Sequence, residues 1–141
     1  MAPEVREMVS DEEVASTFPV MCQLRPHLGE EGYVERIRGM RQGGYRLAAV
    51  VDENLVKCVA GFRVQEYLYC GKHLYVDDLV TDESSRSGGY GKLMLDWLVG
   101  EAKRSGCEQF HLDSGVQRYD THRFYFREGM KISSYHFSKT L

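Results

Sequence analysis

Proline is scarce in this chain, three in 141 residues, and its four cysteines, Cys22, Cys58, Cys70 and Cys107, stand far apart with no C-x-x-C among them. Neither a zinc knuckle nor a disulfide framework is encoded, so no metal is expected and the thiols are expected to be free, in or near a core. No stretch approaches the roughly 20 apolar residues that cross a bilayer, so no membrane partner is expected. Met1–Ser10 carries Glu4, Arg6 and Glu7 where a signal segment would be apolar, which gives a cytoplasmic expectation. No run of lysine and arginine is dense enough to follow a phosphate backbone, and the formal net charge is −3, so no nucleic acid is expected as a ligand. What remains has an ordinary globular balance, 43% hydrophobic and 28% charged. At roughly one domain per 150 residues, the chain reads as a single domain over 1–141.

Val5–Val9 alternates in part, as a strand does, and Ser10-Asp11-Glu12-Glu13 has the S-x-x-E form of a capping box. Val14, Phe18, Met21 and Cys22 recur at helical spacing up to the break at Pro26, and Tyr33, Ile37 and Met40 predict a second helix that stops at Gly43-Gly44. Tyr45–Val51 and Leu55–Tyr69, joined by Asp52-Glu53-Asn54, predict a hairpin. Leu74–Thr81 predicts a further strand, with Leu74, Val76, Asp78 and Val80 on one face if it is regular. A loop through Asp82–Lys92 leads into a helix with Leu93, Met94, Trp97, Leu98 and Ala102 that ends near Ser105-Gly106. Glu108–Leu112 predicts a strand, Thr121–Glu128 a helix stopped by Gly129, and Lys131–Phe137 a last strand. The order β-α-α-β-β-β-α-β-α-β implies an α/β (α+β) fold, one mixed sheet with helices on both faces.

Arg86-Ser87-Gly88-Gly89-Tyr90-Gly91 joins a strand to a helix, an arrangement suited to phosphate. Backbone N–H groups at a helix start lack partners, the helix dipole favours an anion, and glycines allow close approach. Arg86 and Lys92 add positive charge beside those amides. A solvated, flexible turn is the alternative. A P-loop would need Gly at Arg86 and Ser or Thr at Leu93, and a dinucleotide fingerprint would need Gly or Ala at Met94, so any phosphate held here belongs to another ligand.

The segment Asp78–Leu95 resembles the acetyl-CoA-binding motif of the GNAT N-acetyltransferase superfamily, Q/R-x-x-G-x-G/A, which Arg86-x-x-Gly89-x-Gly91 fits. Downstream, His122-Arg123-Phe124-Tyr125-Phe126-Arg127-Glu128-Gly129-Met130 resembles the family's late helix-to-strand motif. Arg118 and Thr121 depart from the Asn and Ala that many relatives carry there, and Met130 replaces the commoner Phe. The resemblance implies a central mixed, mostly antiparallel sheet and acetyl-CoA as cofactor. The expected acceptor is a primary amine of a small molecule or a peptide. Relatives are often dimers, so a homodimer is compatible with it.

The resemblance further implies direct transfer, in which the amine attacks the thioester carbonyl and coenzyme A leaves as a thiolate. The strand end Leu79-Val80-Thr81 would open at a bulge and offer backbone groups to the pantetheine, and the amides of Ser87, Gly88, Gly89, Tyr90, Gly91 and Lys92 would hold the pyrophosphate behind Arg86. Tyr125 would protonate the departing thiolate, and His122, one helical turn earlier, would border the cofactor. A lysine-like ammonium with pKa about 10.4 needs roughly 4.6 kcal/mol to supply the free amine at pH 7. Asp77 and Asp78 lie on the right strand to accept its proton, on opposite faces unless a bulge intervenes, and Asp78 is the choice. A hydrogen bond at the sheet end is the competing role for either aspartate. His73 and His111 are weaker candidates, the pairs Cys70/His73 and Cys107/His111 lack further ligands, and Glu30, Glu31 and Glu35 read as a solvated helix face. A non-catalytic acyl-CoA-binding sensor or partner module is the alternative function.

Overall fold

Ser10 opens the first helix as the S-x-x-E spacing predicts. In the computed structural model, which describes residues 2–141, Ser10 Oγ accepts from Glu13 N at 3.1 Å. Glu13 Oε1 accepts from Ser10 N at 2.9 Å and from Val9 N at 3.0 Å. These bonds, that from Ser10 N first, hold the Glu13 carboxyl below its ordinary pKa. The helix that follows is not continuous to Cys22. It divides into α1 (Asp11–Ser16) and α2 (Phe18–Leu24) at Thr17, with Pro19 in the first turn of α2, where its missing N–H breaks no intrahelical bond. Thr17 Oγ1 donates to Val14 O at 2.7 Å and shares a 2.8 Å hydrogen bond with Tyr33 Oη, tying the junction to α3 (Tyr33–Arg41).

The sheet has the order β1 (Glu4–Glu7), β2 (Arg46–Asp52), β3 (Leu55–Tyr67), β4 (Gly71–Thr81), β5 (Gln109–Leu112). The first four strands pair antiparallel. Glu53 and Asn54, with φ of 52° and 64°, make the two-residue turn that matches strand twist between β2 and β3. β5 lies beside β4 in the same direction: Glu108 N donates to Lys72 O at 2.7 Å, and the His111 ring stands 4.9 Å from that of His73 and 6.4 Å from that of Tyr75. Parallel neighbours need a crossover, which α4 (Tyr90–Arg104) supplies after a short 3-10 turn at Glu83–Ser85.

Leu47–Val51 of β2 are buried without alternation, as expected of a strand covered on both faces. On one face Tyr45, Leu47, Ala49, Val51, Val59 and Val80 pack with Val14, Met21, Tyr33 and Ile37 of the first three helices. On the other, α4 packs on β2, β3 and β4 and brings Met94, Leu95, Leu98 and Ala102 into a second core, with Phe62 edge-on to Trp97. β4 is not regular between these layers. Its register against β3 passes from Gly61↔Asp78 to Phe62↔Val76, so Asp77 is a bulged, extra residue. The expectation that Leu74, Val76, Asp78 and Val80 share a face is thereby corrected. Leu74 and Val76 keep the face of Phe62, whereas Asp78 and Val80 take the face of Gly61 and Val59.

By its internal contacts the chain forms two compact units, residues 2–111 and Leu112–Leu141. The second contains α5 (Tyr119–Arg127), whose end is closed by Gly129 at φ 85°: Met130 N donates to Tyr125 O and Gly129 N to Phe126 O, both at 3.1 Å, the paired bonds of a Schellman stop. The strand predicted over Lys131–Phe137 is not formed. No strand among the described residues pairs with it, and a lone extended segment has no ladder to satisfy its backbone.

Candidate active site

The junction of β4 with α4 is an anion cradle made of backbone. Gly89 caps α4 at φ 82°, and no side chain caps the helix. The first intrahelical bond runs from Leu93 N to Gly89 O at 3.1 Å, so Tyr90, Gly91 and Lys92 form the first turn, whose amides point out along the helix axis. The three residues expected in the loop thus belong to the helix itself. Ser87, at φ 72°, stands with Gly89 in the left-handed region, and such turns gather successive N–H groups into a concave nest. Gly91 abuts the end of β4: a Cβ there would meet only Thr81 Oγ1, at 3.6 Å. Arg86 is exposed and makes no ion pair with a described residue, while Lys92 pairs with Asp96 at 3.5 Å.

Side chains around the cradle brace it. Tyr90 Oη donates to Asp52 Oδ2 at 2.7 Å, which pins the start of α4 to the β2–β3 turn and pushes the phenol pKa up. Asp82 accepts from Gln23 Nε2 at 2.7 Å, from Ser84 Oγ at 2.5 Å and from Ser85 Oγ at 3.1 Å, and these bonds, that of Gln23 first, hold its carboxyl below the usual value. Gln23 Oε1 in turn accepts from Glu83 N at 2.9 Å. The loop is therefore held from α2, a link that sequence spacing does not reveal.

Next to the cradle, β4 extends well past β5, eleven residues against four, so its backbone toward Leu79, Val80 and Thr81 has no β5 residue opposite. The expected bulge is not at this strand end: it lies earlier, at Asp77, and Leu79, Val80 and Thr81 keep regular register with Ala60, Val59 and Cys58. The Val80 side chain is buried in the core, so only its backbone can serve a ligand. Thr81 Oγ1 donates to Cys58 Sγ at 3.6 Å, and burial pushes the Cys58 thiol up to about 11.

The bulge turns Asp78 into a polar cluster. Asp78 Oδ2 accepts from Tyr45 Oη at 2.8 Å, and Oδ1 accepts from Arg25 Nε at 3.0 Å with Arg25 NH2 at 2.9 Å. Asp77 binds Arg63 Nε through Oδ2 at 2.8 Å, and its carbonyl accepts from Arg25 NH2 at 3.1 Å. Burial first, and the nearby Asp78 charge second, push the Tyr45 phenol far above its ordinary value, so Tyr45 remains a donor. The ring lies across Gly61, where any Cβ would overlap its hydroxyl. Arg25, Tyr45 and Gly61 were missed in the sequence. A glycine inside a strand was the one available signal, since such glycines mark bulges and close approaches.

In the second unit, His122 and Tyr125 stand one turn apart on α5. Tyr125 is the buried residue of that helix and packs on Phe124 with ring centroids 5.6 Å apart. His122 Nε2 is within 2.8 Å of Gly115 O, which can only accept, so that nitrogen carries the proton and ties the preceding loop to the helix. Of the weaker candidates, Cys70 Sγ and His73 Nδ1, on two buried side chains, are 3.5 Å apart beside the exposed β3–β4 turn.

The Acetyltransferase (GNAT) family profile matches residues 8–130. The chain is 36% identical over 137 residues to the Uncharacterized N-acetyltransferase YhdJ of Bacillus subtilis, covering 96% of each protein. It is 38% identical over 66 residues to the Aminoalkylphosphonate N-acetyltransferase of Salmonella typhimurium, 47% of this chain and 43% of that protein. The crystal structure of the aminoglycoside N-acetyltransferase AAC(6')-Iy in complex with CoA superposes with a TM-score of 0.86 at 10% identity, over 99% of this chain and 95% of that one. The fold agrees. This chain belongs to the GNAT family of acetyltransferases.

Proposed function

We propose that residues 1–141 act as one catalytic domain that moves an acetyl group from acetyl-CoA to a primary amine of a small molecule or peptide. The observation that carries this reading is the α4 start: a helix N-terminus capped by Gly89 without a side-chain cap, at the end of the longer of two parallel strands. When bound, acetyl-CoA supplies the thioester-activated acetyl group. The amides of Ser87, Gly88, Gly89, Tyr90, Gly91 and Lys92 bind its diphosphate, Arg86 adds an exposed guanidinium, the Leu79–Thr81 backbone aligns the acyl arm, and His122 borders it. Tyr125 donates the proton that the leaving sulfur needs.

Asp78 takes a narrower part than that of a free base. Both its oxygens are engaged, Oδ1 by Arg25 and Oδ2 by Tyr45. It serves as a fixed negative charge that draws and orients the ammonium, with solvent carrying the proton away. We place the enzyme in the cytoplasm, where its four free thiols stay reduced; no helix among the described residues is long and apolar enough to cross a membrane. A second copy of this chain is its protein partner.

Acetyl-CoA at about 100 times its dissociation constant should stabilise the fold by about 2.7 kcal/mol in a thermal-shift titration, with NAD and ATP inert. Release of coenzyme A thiol is then followed across an amine panel that includes aminoalkylphosphonates, the acceptor class named for one relative. Stabilisation with no amine-dependent release from any member favours the non-catalytic acyl-CoA-binding module. No stabilisation refutes both.

A further inference from the structure

Arg25 follows the last turn of α2, where its N–H donates to Met21 O at 3.0 Å and its carbonyl accepts from Leu28 N at 3.0 Å, so main chain fixes the residue on both sides. Its guanidinium uses only part of its donor fork. Nε donates to Asp78 Oδ1 at 3.0 Å, and Nη2 stands 2.9 Å from the same oxygen and donates to the Asp77 carbonyl at 3.1 Å. That leaves Nη1 with N–H donors and no acceptor among the described residues, on a side chain that is 41% exposed. Asp78 is left short in the opposite sense. A carboxylate offers about four acceptor sites, and Oδ2 takes only the Tyr45 hydroxyl, at 2.8 Å. An unused donor edge and an unused acceptor site therefore lie within one ion pair.

The charges around this pair are balanced. Asp77 is bound by Arg63 Nε at 2.8 Å, and Arg63 is itself held over the Tyr45 ring at 5.3 Å and by the Gly43 carbonyl at 3.2 Å. Two carboxylates thus face two guanidiniums, and their formal charges cancel. A site shaped for a polycation would leave its carboxylates unpaired. Here a simple ammonium drawn to Asp78 is also repelled by Arg25, and the two effects offset one another at close range. An acceptor that brings its own anion turns Arg25 from a repulsive neighbour into an attractive one. The guanidinium fork matches carboxylate and phosphonate oxygens, and its contacts to Asp77 and Asp78 already fix it, so little side-chain freedom is lost on binding.

We propose that the acceptor is a short amine bearing its own carboxylate, phosphonate or phosphate, whose ammonium takes the open site on Asp78 Oδ2 and whose anion takes Arg25 Nη1. This rests on the acetyl-transfer reading and narrows it. Asp78 directly precedes Leu79, where the backbone proposed to align the acyl arm begins, so acceptor and carrier are addressed from adjacent positions of β4. Arg25 then decides which amines are accepted, and amines that are cationic throughout are disfavoured.

The test is coenzyme A thiol release at saturating acetyl-CoA with matched acceptors: β-alanine against its amide, aminoethylphosphonate and phosphoethanolamine against ethanolamine, and spermidine as the polycation. The full chain should show a kcat/KM about 10- to 100-fold higher for the anion-bearing member of a pair, the factor that a hydrogen bond to a charged group supplies. The pair that is discriminated most identifies the anion. In Arg25→Ala the ratio within that pair should fall to near one, and a ratio measured within one variant does not depend on how much of that variant is folded. Equal use of both members of every pair, or a preference for spermidine, overturns the proposal while leaving acetyl transfer in place. An unchanged ratio in Arg25→Ala overturns it too, because the anion would then be read by another residue. Absence of thiol release with every acceptor refutes the transfer reading, and the proposal falls with it.

Discussion

Gly61→Ala is a one-methyl change with a large expected effect. The added Cβ would overlap the Tyr45 hydroxyl and ring and stand 2.7 Å from Cε1. Tyr45 is 2% exposed and fixed among core side chains, so it has little room to retreat. Either the strands shift around an overpacked site, at about 1–3 kcal/mol, or the ring yields and its bond to the Asp78 carboxylate is lost, at about 1.5–3 kcal/mol. These are alternatives and do not add, so the expected loss is about 2–3 kcal/mol, a fall in Tm on the order of 10 °C. Urea unfolding of Gly61→Ala, Tyr45→Ala and the double variant measures it. With the ring gone the methyl has nothing to strike, so the double variant should be no less stable than Tyr45→Ala, a coupling of about 2 kcal/mol. Additive losses, or a single variant within about 0.5 kcal/mol of the natural protein, would show that the ring does not lie where its packing requires.

Gly89→Ala places a side chain at φ 82° on the α4 cap, so it should lose about 1–2 kcal/mol in urea unfolding and raise the KM for acetyl-CoA several-fold with less effect on the amine KM. Tyr125→Phe should lower kcat far more than it weakens the acetyl-CoA thermal shift; equal losses would remove it as the proton donor. Ser10→Ala should lose about 1 kcal/mol as an N-cap. The Glu13 carboxyl, held below its ordinary value of 4.5, contributes stability that is present above that value and lost as pH falls through the lowered one. Tm against pH should therefore drop on the acid side in the natural protein and drop less in Glu13→Gln. Parallel curves would contradict the capping role.

Features written into adjacent residues were legible. The capping box at Ser10–Glu13, the turn at Glu53-Asn54, the stop at Gly129 and the glycine run before α4 each depend on what a backbone can do over three to six positions. Pro19 was legible in principle, yet Val14, Phe18 and Met21 keep helical spacing across it, and periodicity alone gave one helix where Thr17 makes a joint. The bulge at Asp77 was not legible, because register is decided between strands, by Gly61 admitting Tyr45 and by two arginines that reach from α2 and β3. The strand predicted at Lys131–Phe137 has the right composition, but a strand exists only with a neighbour, and composition does not say where the neighbour is.

The same division separates the two halves of the site. The cradle proposed for the acyl carrier is built mostly from main chain within one continuous stretch, Leu79–Lys92, so its chemistry would survive wide change in side chains provided the positive-φ positions hold. The charge that would receive the amine is assembled from Arg25 just past α2, Tyr45 just before β2, Gly61 of β3 and Asp78 of β4. Substitutions there are coupled: enlarging Gly61 evicts Tyr45, losing Tyr45 removes a donor to Asp78, and losing Arg25 leaves Asp78 Oδ1 and the Asp77 carbonyl without their shared partner. Acceptor preference in this fold should therefore change by concerted replacement of the cluster, while carrier binding, resting mainly on main chain, is maintained. An Arg25→Ala variant that keeps its acetyl-CoA thermal shift and loses amine affinity would follow from this division, and one that loses the thermal shift instead would show that the two halves are not separate.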